Sequence, residues 1–477
     1  DTEGMQRKKA LVGILACSLL LIPAIIRQGD DFIFLRTLIK LTFPTERHEL
    51  RRWDSSSCVD FVQMPPAPFG FWGADKRNFT GAWPRKIGVY IDSYAFTSII
   101  NAEDLKKDST FFDRLPISVP LSVKENKAPH VLVIGAGGGN DVRAALHFGA
   151  SKVTAVEINP LIVEEVRDKY KDYSGDLYNH PKVNAVVAEG RNFARRSGEK
   201  YDAIIFSGVD TVTGSQAGSF SFAENFLYTK EALRDFYQRL KPGGYLYYMR
   251  FVFDQPREMM RLCGVARSVL EEEGVKNVKQ CVFGFDTKDW IYGGLIVKKG
   301  AIDAQEERDL QLATKRLGYE VIFTPSAKGR KEYDTILTHK NVDEYIKNYT
   351  FCVHPVTDDS PFFFFYARWS RLFDKDYGEM PVYWEGPRML VIGLVAVLWL
   401  FLFFSLIPAR QLRKRGVELK GHYPMLGYFA CLGLAYLFVE IALMNKLIFL
   451  LGHPFFALAV ILAVMLVASG VGSVVSE

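Results

Sequence analysis

The sequence predicts an α/β protein in which a Rossmann-like sheet with flanking helices is joined to transmembrane α-helices. Two observations carry this prediction. A mostly apolar run, His130–Ile134, stops at a glycine-rich turn and is followed by a helical pattern and a second apolar run, which is the order of a βαβ unit. Long uncharged apolar runs also lie near both ends of the 477-residue chain, and about 20 apolar residues suffice for a helix to cross a bilayer.

The glycine-rich turn is the first element with chemical content. It reads Gly135-Ala136-Gly137-Gly138-Gly139-Asn140 and precedes a helical pattern that begins near Asp141. Glycines let the backbone approach a ligand closely and leave amide groups facing it. The second strand, Lys152–Ile158, carries Glu157, about twenty residues after the turn, which is the spacing of an acid that binds two ribose hydroxyls.

The spacing of the glycines favours one class of nucleotide. The third glycine of the dinucleotide fingerprint would fall at position 140, which is Asn, so NAD is disfavoured. The G-x-G-x-G pattern of S-adenosylmethionine enzymes fits Gly135, Gly137 and Gly139. A Rossmann-like domain for a different nucleotide stays open as the alternative.

Three later segments extend the α/β order. They are the strand Val183–Ala188 leading to Glu189-Gly190-Arg191, the strand Tyr201–Phe206 leading to Ser207-Gly208-Val209-Asp210, and the turn Leu240–Gly244 leading to the strand Tyr245–Phe251. Residues 255–350 are predicted to continue the domain, with Trp290–Val297 closing the sheet antiparallel.

Four apolar segments predict an integral, multi-pass membrane protein. They are Ala10–Ile26, Met389–Ile407, Met425–Val439 and Phe455–Val475. A signal peptide is the alternative for the first segment, because basic residues precede it. The basic residues before the first segment and after the second would put both of these flanks in the cytoplasm, and a single crossing from each would leave the catalytic domain outside. The cofactor is made in the cytoplasm, and on that ground alone we expect the catalytic domain on the cytoplasmic face. The chain starts without Met and ends just after an apolar run, so we expect further helices beyond it.

Composition argues against two classes of function. The net charge of +5 is small, and no basic stripe alternates with aromatic residues, so we expect no nucleic-acid partner. The six cysteines form no CxxC pair, so no metal centre is expected.

Taken together, these segments resemble the spermidine synthase family of aminopropyltransferases, and most of all its membrane-embedded bacterial branch. The resemblance covers about residues 88–369 and, more loosely, the helices that follow. The matching pieces are IGVYIDSYAFTSI, VLVIGAGGGNDVRAA, VEINP, VVAEGRNF, YDAIIFSGVDT, SFAENFLYTKEALRDFYQRLKPGG, HPVTDDSPFFF and FVEIALMNKLIFLLGHP. The resemblance implies a seven-stranded sheet with a small β element in front of it, and a homodimer as a possible assembly.

The resemblance also implies a donor and its binding residues. Members bind decarboxylated S-adenosylmethionine and move its aminopropyl group to a small amine. The residues that correspond to donor contacts are Gly135, Gly137, Gly139, Asp141, Glu157 at the ribose, and Glu189 with Gly190 at the adenine. Intact S-adenosylmethionine would need a partner for its carboxylate, for which Asn140 and Arg143 are candidates.

One motif departs from the family. Soluble members carry D-x-x-D-P after the fourth strand, whereas this chain has Ser207-Gly208-Val209-Asp210-Thr211. An amine must lose a proton before it attacks, and a serine is a poor base. The predicted catalytic residues are Asp210, Ser207 and Tyr90. Because the first acid of the motif is missing, an S-adenosylmethionine-dependent methyltransferase stays open as an alternative.

Acids and aromatic residues suit a cationic acceptor. The predicted acceptor-binding residues are Asp92, Glu224, Tyr228, Asp358 and Asp359. Capping of turns and helices is the alternative use of the aspartates. A third possibility is a transporter or sensor that binds a nucleoside without turnover, because Glu440 lies in an apolar segment, where a charge is costly.

These assignments divide the chain into four regions. They are an N-terminal transmembrane segment at 1–30, an interfacial or linker region at 31–86, the spermidine synthase-like domain at 87–370, and C-terminal helices at 371–477, with transmembrane segments near 389–407, 425–441 and 455–475. The lipid bilayer is therefore an expected partner.

Overall fold

The computed structural model describes most of the chain after residue 47. The described residues are 48–54, 57–74, 79, 81–92, 95–123, 127–209, 223–288, 292–373, 382–414, 423–451 and 454–475. The predicted N-terminal transmembrane segment and Asp210 lie outside them. The chain divides into two compact units, 1–389 and 390–477, and each is described by itself.

A small antiparallel sheet opens the first unit. Its strands, in spatial order, are β1 (His48–Trp53), β2 (Cys58–Met64), β3 (Lys86–Ile91) and β4 (Ala95–Ile100). β1 and β2 occupy residues 48–64, inside the stretch 31–86 that we expected to be a linker, so the small β element begins earlier than predicted. β2 is buried at almost every position and therefore lacks the alternation that marks a half-buried strand.

A second sheet of eight strands forms the body of the unit. In chain order they are β5 (His130–Ile134), β6 (Lys152–Glu157), β7 (Val183–Val187), β8 (Tyr201–Ser207), β9 (Leu240–Phe251), β10 (Val282–Asp286), β11 (Tyr292–Lys298) and β12 (Glu320–Phe323). Their spatial order is β12-β10-β11-β9-β8-β5-β6-β7. The strands from β7 to β9 are parallel to one another, and β11 pairs antiparallel with β9 as predicted.

The strand count differs from the seven that the resemblance implied. β12 adds an eighth strand by pairing antiparallel with β10 at the sheet edge. It has four residues, which is too short for a periodic hydrophobic signal.

Ten helices within residues 102–348 accompany the sheets in the described part of this unit. They are α1 (Ala102–Lys107), α2 (Ser118–Ser122), α3 (Asn140–His147), α4 (Pro160–Arg167), α5 (Gly190–Arg196), α6 (Lys230–Gln238), α7 (Glu258–Glu272), α8 (Ala304–Arg316), α9 (Lys331–Thr338) and α10 (Val342–Asn348).

Residues 131–134 of β5 are at most 2% exposed. Central parallel strands are covered on both faces, which explains their continuous apolar sequence.

The strand order fixes where a ligand can bind. From β5 the chain proceeds to β6 and β7 on one side, and it then returns to β8 and β9 on the other. The switch point therefore lies between the carboxyl ends of β5 and β8, where open α/β sheets bind their ligands. A Cβ atom placed on Gly135, just after β5, would lie 2.8 Å from Val209, just after β8. Both loops therefore meet at the switch point.

The C-terminal part of the chain is helical. Its helices are α11 (Val382–Lys414), α12 (Tyr423–Leu451) and α13 (Pro454–Val475). Two of them contain stretches long and apolar enough to cross a membrane, Gly427–Met444 and Ala457–Val475, whereas the apolar stretch described in α11, Leu390–Phe404, is shorter. These are properties of length and composition alone.

The helix α12 is longer than its apolar pattern predicted. The sequence ended this segment near residue 441, yet the helix continues past that point through Lys446 to Leu451. Large apolar side chains on α12 and α13 are exposed, for example Phe438 at 68% and Leu466 at 67%. Soluble proteins rarely expose apolar surface on this scale.

Candidate donor and acceptor site

The glycine turn lies directly against the small sheet. The backbone N–H of Gly138 donates to Thr97 Oγ1 at 3.0 Å. A Cβ atom on Gly137 would lie 2.5 Å from that oxygen, and one on Gly138 would lie 2.0 Å from the carbonyl oxygen of Ser98. Glycine is therefore required here by the approach of β4, in addition to any approach of a ligand.

Glu157 ends β6 beside this turn. Glu157 is only 6% exposed. Its two carboxylate oxygens accept hydrogen bonds from the backbone N–H of Gly137 at 2.8 Å and of Asn159 at 2.9 Å. Burial raises the pKa of the carboxyl, and the hydrogen bonds from backbone amides oppose that rise. A buried carboxylate with two oxygens at the switch point can accept hydrogen bonds from a pair of vicinal hydroxyls.

Asp141 and Ser207 come together across the switch point. Asp141 lies in the first turn of α3, and Ser207 is the last residue of β8. Burial raises the pKa of Asp141 to about 6, and the nearby Ser207 hydroxyl opposes that rise. In its carboxylate form Asp141 places a negative charge beside Ser207 at the switch point.

The two candidates for binding a donor carboxylate face other groups. The Arg143 guanidinium donates to the carbonyl of Ser174, and burial lowers its pKa to about 10. The Asn140 amide donates to Ser98 Oγ at 3.2 Å. Each of the two side chains therefore already has a hydrogen-bond acceptor within the protein.

The two residues predicted to lie at the adenine, Glu189 and Gly190, begin α5. Glu189 is exposed and caps α5, accepting from Arg191 N at 3.0 Å and Asn192 N at 2.7 Å. A Cβ atom on Gly190 would lie 2.6 Å from a methyl group of Ile134, so packing against β5 requires this glycine.

Two residues that the sequence interpretation missed lie at the same edge. Ile158 is 56% exposed and Val187 is 48% exposed, and Val187 pairs with Glu157 across β6 and β7. Exposed apolar side chains at the carboxyl ends of parallel strands offer a surface for the flat face of a purine. Ile158 directly follows Glu157, and Val187 is the last residue of β7. These positions in the sequence are the signal that could have identified them.

Tyr90 and Asp92 belong to the small sheet. The Tyr90 ring lies 4.9 Å from the Phe96 ring, and burial raises the pKa of its phenol well above the usual value. Asp92 has a φ of 51°, and its carboxylate accepts from Cys58 N at 2.9 Å. Burial raises the pKa of Asp92 as well. Asp92 therefore already stabilises the turn between β3 and β4.

Asp358 forms a bidentate ion pair. Its two carboxylate oxygens accept from the Arg191 guanidinium at 2.7 and 2.8 Å, and one also accepts from Thr229 Oγ1 at 2.7 Å. Burial opposes ionisation of Asp358, but the hydrogen bonds from Arg191 and Thr229 outweigh it and lower the pKa. This carboxylate is committed to holding residues 356–360 against α5 and α6.

The remaining predicted acceptor residues are separate from this cluster. Glu224 and Asp359 are exposed. The buried Tyr228 hydroxyl donates to the Val209 carbonyl at 2.6 Å. Among the described residues, the structure therefore brings together the glycine turn, Glu157, Asp141 and Ser207, whereas it does not gather the acceptor acids at one place.

A buried ionic network supports the loop after β8. Arg250 Nε donates to Glu258 Oε1 at 2.5 Å, and the Tyr366 hydroxyl donates to Glu258 Oε2 at 3.1 Å. Arg250 also donates to the Tyr228 hydroxyl at 3.3 Å, which in turn holds the Val209 carbonyl. The charged arginine within the apolar strand β9 is the sequence signal for this network.

No metal centre is recognisable in the described parts of the chain, because no three His, Cys, Asp or Glu side chains there lie close enough to share an ion.

These features define an α/β domain of the doubly wound type. Residues 115–255 match the spermine/spermidine synthase domain. A polyamine aminopropyltransferase from Pectobacterium atrosepticum is 33% identical over 108 residues, which are 22% of this chain and 37% of that protein. One from Alkaliphilus metalliredigens is 31% identical over 142 residues, 29% of this chain and 49% of that protein.

The chain thus spans less than half the length of these curated relatives. A solved spermidine synthase from Thermotoga maritima superimposes with a TM-score of 0.36 at 17% identity, covering 63% of this chain and 87% of that structure. The strand order, rather than this superposition, defines the fold.

Proposed function

We propose that this chain is an aminopropyltransferase, which moves the aminopropyl group of decarboxylated S-adenosylmethionine to an amine. The amine nitrogen attacks the propyl carbon bonded to the sulfonium. The carbon–sulfur bond breaks and its electron pair returns to sulfur, so that methylthioadenosine leaves as a neutral thioether. The amine must lose its ammonium proton before it attacks, and the product nitrogen then carries the positive charge that the sulfonium loses. Such a displacement chiefly requires that the two reactants be positioned in line.

The Asp141 carboxylate beside Ser207 is the observation that carries the choice of donor. The decarboxylated donor bears a sulfonium and an ammonium, and a nearby carboxylate stabilises both charges. Intact S-adenosylmethionine adds a carboxylate, which the Asp141 charge would repel. Because Arg143 and Asn140 donate elsewhere, the arrangement favours the decarboxylated donor and therefore aminopropyl transfer over methyl transfer.

The other donor contacts follow from the strand ends. In this proposal Glu157 exchanges its two backbone hydrogen bonds for the two ribose hydroxyls. Ile158 and Val187 cover the faces of the adenine, and the amides of the glycine turn approach the sulfonium side. Glu189 and Gly190 shape α5 and β5 around the base.

Deprotonation of the amine is assigned to Asp210. This residue is the acid that follows Ser207 in the loop after β8, and it lies outside the described residues. The raised pKa of the Tyr90 phenol keeps that group protonated, so Tyr90 serves as a hydrogen-bond donor rather than a base. The Arg250–Glu258 network fixes the start of the loop through Tyr228.

We propose further that α12 and α13 anchor the protein in a bilayer, with the catalytic unit on the cytoplasmic face, where the donor is made. The exposed apolar side chains of both helices support this assignment. Alkaline carbonate washing tests the anchor: an integral protein stays in the membrane pellet, and release into the supernatant would contradict the proposal.

The activity is tested with the detergent-purified full chain. With decarboxylated S-adenosylmethionine and a panel of amines, we expect methylthioadenosine by mass spectrometry; S-adenosylhomocysteine formed from intact S-adenosylmethionine would refute the proposal. Asp141→Asn should weaken binding of the charged donor but not of the neutral product methylthioadenosine. The matched control, Asp172→Asn, changes an exposed aspartate and should alter neither. If Asp141→Asn weakened the binding of the donor and of methylthioadenosine equally, the proposal that the Asp141 charge selects the donor would be contradicted.

A further inference from the structure

A short exposed segment lies near the end of the first unit, before the apolar part of α11. We define this boundary segment as residues 369–373. Trp369 is 56% exposed and Phe373 is 64% exposed, and Arg371 between them is exposed as well. Leu372, by contrast, is buried, at 1% exposure. The segment therefore turns one apolar side chain inward and presents two aromatic rings and a guanidinium outward.

The boundary segment is fixed to the body of the unit. Its first three residues form a 3₁₀ turn, and the backbone N–H of Arg371 donates to the Arg368 carbonyl at 2.9 Å. The Arg368 guanidinium in turn donates to the Tyr349 carbonyl at 2.8 Å. The Trp369 ring centroid lies 5.7 Å from that of Phe365. The exposed rings therefore have defined positions, which lowers the entropy lost when they bind a partner.

The helix α11 contacts the boundary segment just before its own apolar stretch begins. Arg388 Nε donates to the Leu372 carbonyl at 2.5 Å, and both residues belong to the first unit. Arg388 lies in α11, two residues before Leu390, at which the apolar stretch starts. Two residues correspond to about 3 Å of helix rise. The boundary segment therefore lies level with the point at which α11 becomes apolar.

The apolar run that starts at this point suits a bilayer. Residues 389–407 contain no charged side chain, and a helix of that length rises about 28 Å, close to the hydrocarbon thickness of about 30 Å. In the described part of the run large apolar side chains are exposed, for example Trp399 at 69% and Phe404 at 68%. Trp399 lies about 16 Å along the helix from Arg388, which is near the middle of the run.

The exposed groups of the boundary segment suit the edge of a bilayer. Tryptophan is enriched at the lipid–water interface because its ring is apolar while its N–H can reach water or headgroups. An arginine at this depth can bury its methylene stem and leave its guanidinium at the phosphates. Exposed aromatic rings and an arginine beside the start of an apolar helix therefore match the surface through which such a helix enters the hydrocarbon.

We infer that the boundary segment rests on the bilayer at the lipid–water interface. Trp369 and Phe373 lie among the upper parts of the acyl chains, and the Arg371 guanidinium lies among the lipid phosphates. This inference rests on the proposed membrane anchor, which it extends to α11, and it goes beyond the transfer reaction. The contact gives the catalytic unit a second attachment to the membrane, so that α11 and the boundary segment together limit how the unit tilts.

Quenching of tryptophan emission by brominated lipids tests the contact in the full chain, reconstituted in phosphatidylcholine nanodiscs. Lipids brominated near the headgroup are compared with lipids brominated near the chain ends. The contribution of one tryptophan is the emission that its replacement removes, in Trp369→Phe and in Trp399→Phe. We expect the shallow bromines to quench mainly the Trp369 contribution. The deep bromines should quench mainly the Trp399 contribution, because Trp399 lies about 16 Å beyond Arg388.

A gained signal gives an independent measurement at the other exposed ring. Phe373→Trp should add emission that the shallow bromines quench. Leu312→Trp is the matched control, because Leu312 on α8 is 66% exposed and Phe373 is 64% exposed. The emission added at position 312 should respond to bromine at neither depth. Both substitutions keep a large apolar side chain at an exposed position, so neither disturbs the core.

The outcomes separate the boundary contact from the anchor. If Trp399 responds to the deep bromines while neither Trp369 nor Phe373→Trp responds, the boundary contact is refuted and the anchor stands. Stronger quenching of Trp369 by deep than by shallow bromines, or equal quenching in Leu312→Trp, would also overturn the contact. If Trp399 does not respond either, the passage of α11 through the bilayer and the boundary contact fail together. Aminopropyl transfer is measured separately, by methylthioadenosine formation.

Discussion

Replacing Asp141 by Asn should make the protein more stable while impairing donor binding. Burial raises the pKa of this carboxyl from 3.8 to about 6, so the fold favours its protonated form. The stabilisation from the protonated form is present below about pH 4 and is lost as the pH rises through about 6. Asn resembles the protonated acid at every pH. The variant should therefore gain stability at pH 8 and show no gain near pH 4.

The size of the gain follows from the shift. One pKa unit corresponds to about 1.4 kcal/mol, and the shift spans about two units, which sets an upper limit of about 3 kcal/mol. Because the side chain keeps some contact with solvent, we expect about 1–3 kcal/mol. For a domain of this size each kcal/mol moves the midpoint of thermal unfolding by roughly 2–4 °C.

Near-ultraviolet circular dichroism of the full chain in detergent measures this midpoint at pH 4 and pH 8. The exposed Asp172→Asn serves as the control and should leave the midpoint unchanged at both values. A shift of equal size at pH 4 and pH 8 would refute the reasoning, because it would show that ionisation is not the cause. The same ionisation predicts that donor affinity of the native chain increases as the pH passes about 6.

Three further substitutions test the site and its support. Glu157→Gln should raise the Kd of the donor about 30–100-fold, measured by isothermal titration calorimetry. The charged carboxylate can accept a hydrogen bond from each of the two ribose hydroxyls, whereas the neutral amide of Gln has only one oxygen to accept them. Gly138→Ala should destabilise the first unit by at least about 2 kcal/mol in urea unfolding, because its Cβ would lie 2.0 Å from the Ser98 carbonyl oxygen. Arg250→Met should cost about 3–5 kcal/mol by leaving the buried Glu258 charge without its ion pair, and the double variant with Glu258→Gln should recover part of that loss.

Two of these substitutions have a matched control variant. Gly198→Ala places a Cβ where no atom lies within 4 Å and should be close to neutral. Glu164→Gln changes an exposed glutamate on α4 and should leave donor affinity unchanged. A donor Kd that Glu157→Gln does not alter would exclude this residue from the ribose contact, and purely additive effects of the Arg250 and Glu258 variants would show that their pairing contributes no coupling energy.

The sequence alone determined that the glycine turn and Glu157 lie together. The turn at residues 135–140 and Glu157 belong to one βαβ unit, so spacing along the chain was enough to place them together. The parallel core strands were also predictable from local sequence. A strand that is buried on both faces has a continuous apolar sequence, and glycines mark where it ends. The antiparallel closure by β11 also followed from local pattern.

Only the tertiary structure decided what the acids do. Asp358 pairs with Arg191 across a sequence separation of 167 residues, and no local pattern encodes such a partner. The proximity of Asp141 to Ser207 and the exposure of Ile158 and Val187 likewise depend on which strand ends become neighbours. Short-range periodicity fixes the type of an element, whereas the environment of a charge or a ring is set by residues distant in the chain, because burial and pairing energies arise only when the sheets pack.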